Sequence, residues 1–475
     1  MTPQFIEGFL KQAKLKKDVE LQVHQKRILK RLEKNPSLLL WHGLGSGKTL
    51  SAIAAVGDTP TDFLLPASLR GNLDKELAKF TTNHDVKGQS YTKYLKSSPS
   101  RRNSLVLDEA HRLGTPTSGI SKLLMERAPS YNKRILLTGS PLRNHPSELA
   151  PLIRILDPSS KVPLNRGDFE SKYISEEEVD PGFFKRVILG VEPGIRETIK
   201  NKKDFQKLVQ GKIDYHMAGD KYYPSVTESH VPVVMSPSQR GLYDKASKDL
   251  PRSVRIKMEM NIPLAKSEKV HLNNFFNSMR QISNSVRSFG VDEDTPKMLT
   301  AAKDLEKQIA KGGKTLVYSN FLESGIGEYA DILKRKEIPY VRFDGSLSDK
   351  KRKAAVDAFN AGNVPVLLVS GAGSEGLDLK GTRLVQVLEP HWNQARTDQV
   401  KGRAVRFKSH EHLPKREQNV TIKNYYSTLP SSFSFFGKKE DPKTSVDQYL
   451  RQLGEDKTKL NMQFLNAMKE RANEY

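Results

Sequence analysis

Eight short, nearly continuous apolar runs set the terms of this fold. "SLLLWHG", "FLLPAS", "SLVLDEA" and "RILLTGS" form a first set, and "TLVYSN", "YVRFDGS", "VPVLLVSG" and "LVQVLEP" a second. Stretches of helical character separate them. A short run that is apolar on both faces belongs to a strand buried on both faces, and such strands occur in parallel sheets covered by helices. The predicted class is therefore α/β, with two parallel sheets in tandem. The interval from Ser140 to Lys314 is richer in charge and helix formers, as in "NKKDFQKLVQGKI" and "KVHLNNFFNSMRQISNSVR", and reads as helical insertions. "STLPSSFSFFGKKEDPKTS" reads as a loop before a last helix, "SVDQYLRQLGEDKTKLNMQFLNAMKERA".

The first set carries chemistry at its strand ends. Gly45, Ser46, Gly47, Lys48 and Thr49 follow the first apolar run and open a helix-like stretch, "TLSAIAAVG". Strand, glycine-rich loop and helix in that order make a phosphate cradle. Gly45 and Gly47 let backbone N–H groups turn inward. Lys48 would neutralise the β and γ oxygens, and the Thr49 hydroxyl would take a Mg²⁺ position. The general loop pattern places a first glycine where this chain has His42. The bland alternative is an ordinary strand-to-helix turn. "SLVLDEAH" argues against it, because its strand delivers Asp108 and Glu109 to the edge where ligands of open α/β sheets bind. Asp108 would hold Mg²⁺ and Glu109 would orient or deprotonate an attacking water. Thr138, Gly139 and Ser140 end another strand and offer small polar groups near the phosphates; His111 reads either as a surface histidine or as a coupling residue.

The second set closes on "WNQARTDQVKGRAVRF". Gln399, Arg403 and Arg406 are spaced by four and three residues and so share one face of a continuous helix. Arginines so placed suit charge stabilisation at a transferring phosphoryl group. A salt-bridged basic helix is the competing reading.

The formal net charge is +23, with Lys and Arg spread along the chain rather than massed in a tail. A field of that sign and size points to a phosphate polyanion held in a groove. The absence of cysteine removes disulfides, thiolate metal sites and a thiol nucleophile. No apolar run approaches the ~18 residues of a membrane span, and the first residues lack a secretory h-region, so an intracellular setting without membrane contact is expected.

These motifs, in this order, resemble helicase superfamily 2, and within it the Swi/Snf-type DNA translocases. "ELQVHQKRIL" is similar to the opening motif, which implies an adenine contact for Gln25. "LLPASLRGNLDKELAKF" resembles the motif after the phosphate loop, implying that Pro66 and Ser68 lie by the nucleic-acid backbone. "SYTKYL", "LLTGSPLRNHPSELAPLIRIL", "VPVVMSPSQRGLYDKA" and "FFNSMRQISN" also resemble family segments. In the second half the resemblance runs from "VYSNF" to "GRAVRF". It implies nucleic-acid contacts at Ser319, Asn320, Gly373 and Trp392, and nucleotide contacts at Gly376 and Asp378.

Superfamily 2 members commonly lack the first glycine of the general loop, so His42 fits the branch. "LLLWHGLGSGKT", "GRAVRFKSHEHLP", "NVTIKNYYS" and "TSVDQYL" lean toward the enzymes of large DNA viruses, similar to the poxvirus nucleoside triphosphatase, and a phage relative would read much the same. Two departures, Gln394 after Trp392 and Asn393 where the family has proline, and Asp378 where many members have asparagine, bear on local DNA contacts rather than on ATP.

The resemblance implies two RecA-like lobes with MgATP between them: residues 1–155 as the first, 156–295 as helical protrusion and linker, 296–430 as the second, and 431–475 as a terminal loop and helix. It implies an ATP-driven motor on nucleic acid, duplex DNA before other forms, with transcription or replication machinery as partner. An RNA helicase or a transcript-releasing ATPase is the rival enzyme. A basic DNA-binding scaffold with a dead site is the rival of another class.

Overall fold

The structure is a computed structural model. It describes residues 15–474 apart from 17, 44–45, 100–101, 181, 183–192, 218–222, 270–271, 372–376, 392–393, 407, 431, 434–438 and 441–442. The chain divides into two compact units: Met1–Ser175 with Thr198–Gly219 and Lys459–Tyr475, and Glu176–Glu197 with Asp220–Thr458.

The strands of the first half are β1 (Ser37–His42), β2 (Thr61–Leu65), β3 (Val86–Ser90), β4 (Ser104–Asp108) and β5 (Lys133–Thr138). Next come β6 (Ile174–Val179) and β7 (Gly194–Ile199), a two-stranded sheet of their own, and β8 (Ile213–His216). The sheet of the first unit has the order β3-β2-β4-β5-β1-β8, parallel at every pairing. The apolar runs earn this arrangement by sending alternate side chains to opposite faces. Leu39, Trp41, Leu105, Leu107 and Leu136 enter one core; Leu38, Leu40, Val106, Ile135 and Leu137 enter the other. Because all strands run the same way, His42, Asp108, Thr138 and His216 come out along one edge, with His42 in register with His216 and Trp41 with Thr138.

The sheet of the second unit is built from β9 (Ser225–Val234), β10 (Lys314–Ser319), β11 (Tyr340–Phe343), β12 (Val366–Ser370), β13 (Thr382–Val387) and β14 (Asn419–Thr428). Its order is β11-β12-β10-β13-β14-β9, again parallel at every pairing. Val317, Val366 and Leu368 face one core, and Leu316, Tyr318, Leu367 and Val369 the other. The interval read as helical insertions also supplies the edge strands β8 and β9. The sequence "SVTESHVPVV" hides β9, because an edge strand exposes one side to water and carries polar residues there.

The helices Pro237–Ser247, Arg252–Glu259 and Leu272–Asn284 make a separate cluster in the second unit, with Tyr243, Met258, Phe276 and Met279 at its centre. The start of the terminal helix Val446–Lys469 joins them through Val446, Tyr449 and Leu450. Its far end, through Leu460, Phe464 and Met468, belongs to a core of the first unit. Among the described residues no helix is long and apolar enough to cross a membrane.

One ion pair fixes this helical cluster to the second sheet. Lys297 Nζ lies 2.8 Å from Asp447 Oδ2, with both side chains essentially sealed from water, and the same oxygen accepts the Ser427 N–H. Removing one member of such a pair strands the other's charge. Lys297→Met is expected to destabilise the second unit by about 3–5 kcal/mol, read as a lowered midpoint in urea unfolding; an unchanged midpoint would show that the pair contributes nothing.

Candidate functional site

The phosphate loop leaves β1 at His42 and enters the helix Lys48–Val56 at Gly47. Gly47 sits at φ 74°, in the left-handed region, and a Cβ there would meet Gln25 Nε2 at 2.7 Å. The backbone favours glycine here, while the Gln25 side-chain end could shift to make room. Gln25 donates from Nε2 to the Gly47 carbonyl at 3.2 Å and accepts the Gln22 N–H, capping its own helix, Val23–Lys34. Ser46 Oγ donates to the Gly43 carbonyl at 2.7 Å. Lys48 Nζ donates to the His42 and Gly43 carbonyls at 3.0 and 3.1 Å. Burial lowers the Lys48 ammonium from its ordinary range, while Glu109 and Asp108 pull it back up. Gly45 lies outside the described residues.

β4 ends at Asp108, whose Oδ1 accepts the Glu109 N–H at 2.9 Å. Glu109 adopts φ 51°, a left-handed conformation rare for a residue with a side chain. Tyr91, from the "SYTKYL" segment, donates its hydroxyl to the Asp108 carbonyl at 2.6 Å and steadies this corner. Burial, and then the charge of Glu109, push the Asp108 carboxyl up to about 6. Beside Lys48, this corner carries a surplus of negative charge that a divalent cation would offset, so Asp108 fits a Mg²⁺ ion. Among the described residues no three metal-ligating side chains gather; Mg²⁺ usually binds through one or two protein groups, with phosphate and water completing its shell. Gly139, at the end of β5, lies against the His42 carbonyl and Lys48 Nζ. His111 is buried rather than on the surface. Its Nδ1 bonds Thr138 Oγ1 at 2.9 Å and lies 3.4 Å from Glu109 Oε2, and burial, with Arg143 and Arg112, lowers its pKa to about 3.

Behind the loop stands a group that the motifs did not announce. Asp214, on β8, is fully buried. It accepts two hydrogen bonds from Arg27 at 2.9 and 2.7 Å, one from Arg31 at 3.1 Å, and pairs with His42 Nε2 at 2.8 Å. Burial opposes its charge, but these donors hold its carboxyl well below the usual range. His42 therefore has its own task, joining β1 to β8. His24 bonds the Ser46 carbonyl at 2.9 Å and stacks on His216 at 3.7 Å between ring centroids.

In the second unit the expectations divide. Gln399 and Arg403 lie one turn apart on the helix Gln394–Ala404, both half-buried. Arg406 falls beyond its last residue, so the predicted three-residue face is a correction: the helix stops before the third member. Arg406 Nη1 instead donates to Asp378 Oδ1 at 2.9 Å and to the Leu377 carbonyl at 3.3 Å, bringing two sequence candidates together. Ser319 is fully buried and donates to Glu389 Oε2 at 2.8 Å. Its hydroxyl is taken up by the fold, which leaves its backbone for any contact with nucleic acid. Asn320 donates to the same carboxylate through its backbone N–H and Nδ2, and Asn284 joins at 2.9 Å. Pro66 is half-buried just past β2, at the start of the one-turn helix Ala67–Leu69 that contains Ser68. Gly373, Gly376, Trp392 and the Ser68 side chain lie outside what the structure describes.

Two family models match the chain: the SNF2-related domain over residues 78–288 and the helicase conserved C-terminal domain over residues 297–408. A protein of Acanthamoeba polyphaga mimivirus, named as an ATP-dependent RNA helicase, is 31% identical over 463 residues, 93% of this chain and 94% of its own. The chain belongs to the Swi/Snf-type branch of helicase superfamily 2. A termination factor NPH-I homolog of African swine fever virus is 24% identical over 544 residues, 93% of this chain and 76% of its own. A chromatin remodeling factor of Schizosaccharomyces pombe is 26% identical over 333 residues, 64% of this chain and 21% of its own.

This Swi/Snf-type chain is a nucleic-acid-dependent ATPase with viral relatives. Sequence reasoning named Lys48, Asp108 and Glu109, which the structure brings together at one edge, but not Asp214 and Glu389; "IDYH" and "VLEP" offered only that a charge beside apolar residues demands partners.

The histidine cluster of this Swi/Snf-type ATPase gives a pH dependence. Burial, then His24 and His42, lower His216 from 6.5 to about 4, and burial lowers His24 and His42 as well. Between those values the unfolded chain binds protons that the folded one refuses. Stability is therefore full above about pH 6.5 and falls as pH drops toward 4. The thermal midpoint is expected to decline over that range, and His216→Asn to flatten the decline; an identical slope in the variant would show that the stack is not responsible.

Proposed function

We propose that this ATPase moves along duplex DNA, gripping the phosphodiester backbone without reading sequence. The observation that carries the reading is the meeting of Lys48, Asp108 and Glu109 at the edge of the first sheet, on a Swi/Snf-type scaffold of net charge +23. Lys48 binds the β and γ phosphates, displacing its present carbonyl partners. Thr49 and Asp108 hold Mg²⁺, which when bound supplies charge to the phosphates. Glu109 orients the attacking water and takes its proton. Gln25 contacts adenine, and Ser46 and Gly47 lend backbone N–H groups to the phosphates. Arg403, with Gln399 and Arg406 near it, supplies positive charge to the transferring phosphoryl group. Asn320, Pro66, Gly373 and Trp392 contact the nucleic-acid backbone, which makes affinity strongly salt-dependent. A dead scaffold has no use for this set of groups.

A second reading, release of transcripts or action on RNA, is favoured by two viral relatives, one named as an RNA helicase and one as a termination factor homolog. Such relatives also support a setting inside an infected cell or its virions.

ATPase rates with duplex DNA, single-stranded DNA and RNA separate the readings. Duplex DNA is expected to stimulate most and to support triplex displacement; stimulation by RNA alone would overturn the DNA reading. Lys48→Ala is expected to abolish stimulated turnover while DNA binding persists, and unchanged turnover would remove the phosphate-loop assignment. Arg403→Ala is expected to lower kcat by about 10³-fold with nucleotide affinity retained; near-normal turnover would remove its transition-state role.

A further inference from the structure

Thr49 lies at the start of the helix Lys48–Val56. The helix Arg70–Phe80 packs beside it, with Leu73 and Leu77 sharing a core with Ala52 and Val56. This neighbour carries an acid that the site described above does not use. Glu76 is half-buried, and its charge is felt at Asp108. Burial pushes its carboxyl up, while the Thr49 hydroxyl facing it, and then Lys79, pull it down. Its Oε2 is buried with no hydrogen-bond partner among the described residues. A carboxylate oxygen left idle in such a place is costly unless something arrives to use it.

The chemistry of a hydroxyl ligand says what that is. A threonine hydroxyl has one proton and two lone pairs. When a lone pair faces a cation, the proton must go to an acceptor on the other side, and an acceptor there fixes the hydroxyl's orientation and raises its donor strength. Mg²⁺ also keeps several waters, whose protons need acceptors of their own. We propose that Glu76 is a positioning residue for the divalent cation: it accepts a hydrogen bond from the Thr49 hydroxyl, and its idle oxygen accepts one from a cation-bound water. Glu76 thereby ties the motif after the phosphate loop to the nucleotide site.

The inference rests on the assignment of Thr49 to the cation, and its test separates the two. Binding of a fluorescent ADP to the full chain is followed while Mg²⁺ is titrated, and again in EDTA. Glu76→Ala is expected to raise the Mg²⁺ midpoint about tenfold or more. Glu76→Gln, which keeps an acceptor oxygen but not the charge, should raise it less, and it preserves the test should the alanine variant fold poorly. Affinity in EDTA should not change in either. Thr49→Ala should raise the midpoint too, and adding Glu76→Ala to it should cost less than Glu76→Ala costs in the parent, because one of the two Glu76 contacts is already gone. A Glu76→Ala midpoint within about twofold of the parent, with Thr49→Ala clearly shifted, overturns the role of Glu76 alone. Equal loss of ADP affinity with and without Mg²⁺ overturns it in favour of a structural role. No shift in Thr49→Ala removes the cation assignment and the inference with it.

Discussion

The buried carboxylate of Asp214 is the interaction on which the nucleotide site depends. A fully buried acid is tolerable only when its charge is met from several directions. Here Arg27 and Arg31 come from the helix Val23–Lys34, and His42 comes from the end of β1. The same helix holds Gln25, which supports the Gly47 carbonyl, and His24, which bonds the Ser46 carbonyl. Asp214 thus fixes the helix, the strand and, through them, the backbone of the phosphate loop. Without it, the buried Arg31 and His42 and the half-buried Arg27 would lie beside one another with no counter-charge.

The reacting corner works by the opposite balance. Asp108 and Glu109 stand together without full neutralisation, and the cost is visible in the raised Asp108 carboxyl and in the left-handed backbone of Glu109. Strain of this kind persists where surrounding structure over-determines it. Tyr91 below and Thr138 and His111 beside supply that constraint. One unit therefore contains a saturated acid, Asp214, and an unsaturated pair, Asp108 and Glu109.

Much of this was legible in the sequence because it follows local rules. Strands buried on both faces read as apolar runs, and Lys48, Thr49, Asp108 and Glu109 read from their place at strand ends. What escaped depends on contacts distant in the chain. β8 and β9 carry too many polar residues to announce themselves, since β8 turns Asp214 toward arginines over 180 residues away and β9 lies at an edge. Ser319 looked available for nucleic acid, yet Glu389, just past a strand end and 70 residues on, claims its hydroxyl. Arg406 looked helical by spacing, but the helix ends at Ala404 and the arginine turns to Asp378. Periodicity gives the face of a helix only as far as the helix runs.

The resting partners of Lys48 have a consequence for which nucleotides the loop would favour. Its ammonium already satisfies the His42 and Gly43 carbonyls. A ligand must therefore offer more than a vacancy: it must outbid two carbonyl dipoles. A β,γ-diphosphate would do so, because ionised oxygens bind an ammonium more strongly than neutral ones. A nucleoside monophosphate, ending short of the lysine, would leave those bonds in place and gain nothing from them. The loop would act as a threshold on chain length of the phosphate, rejecting monophosphates without any pocket shaped against them.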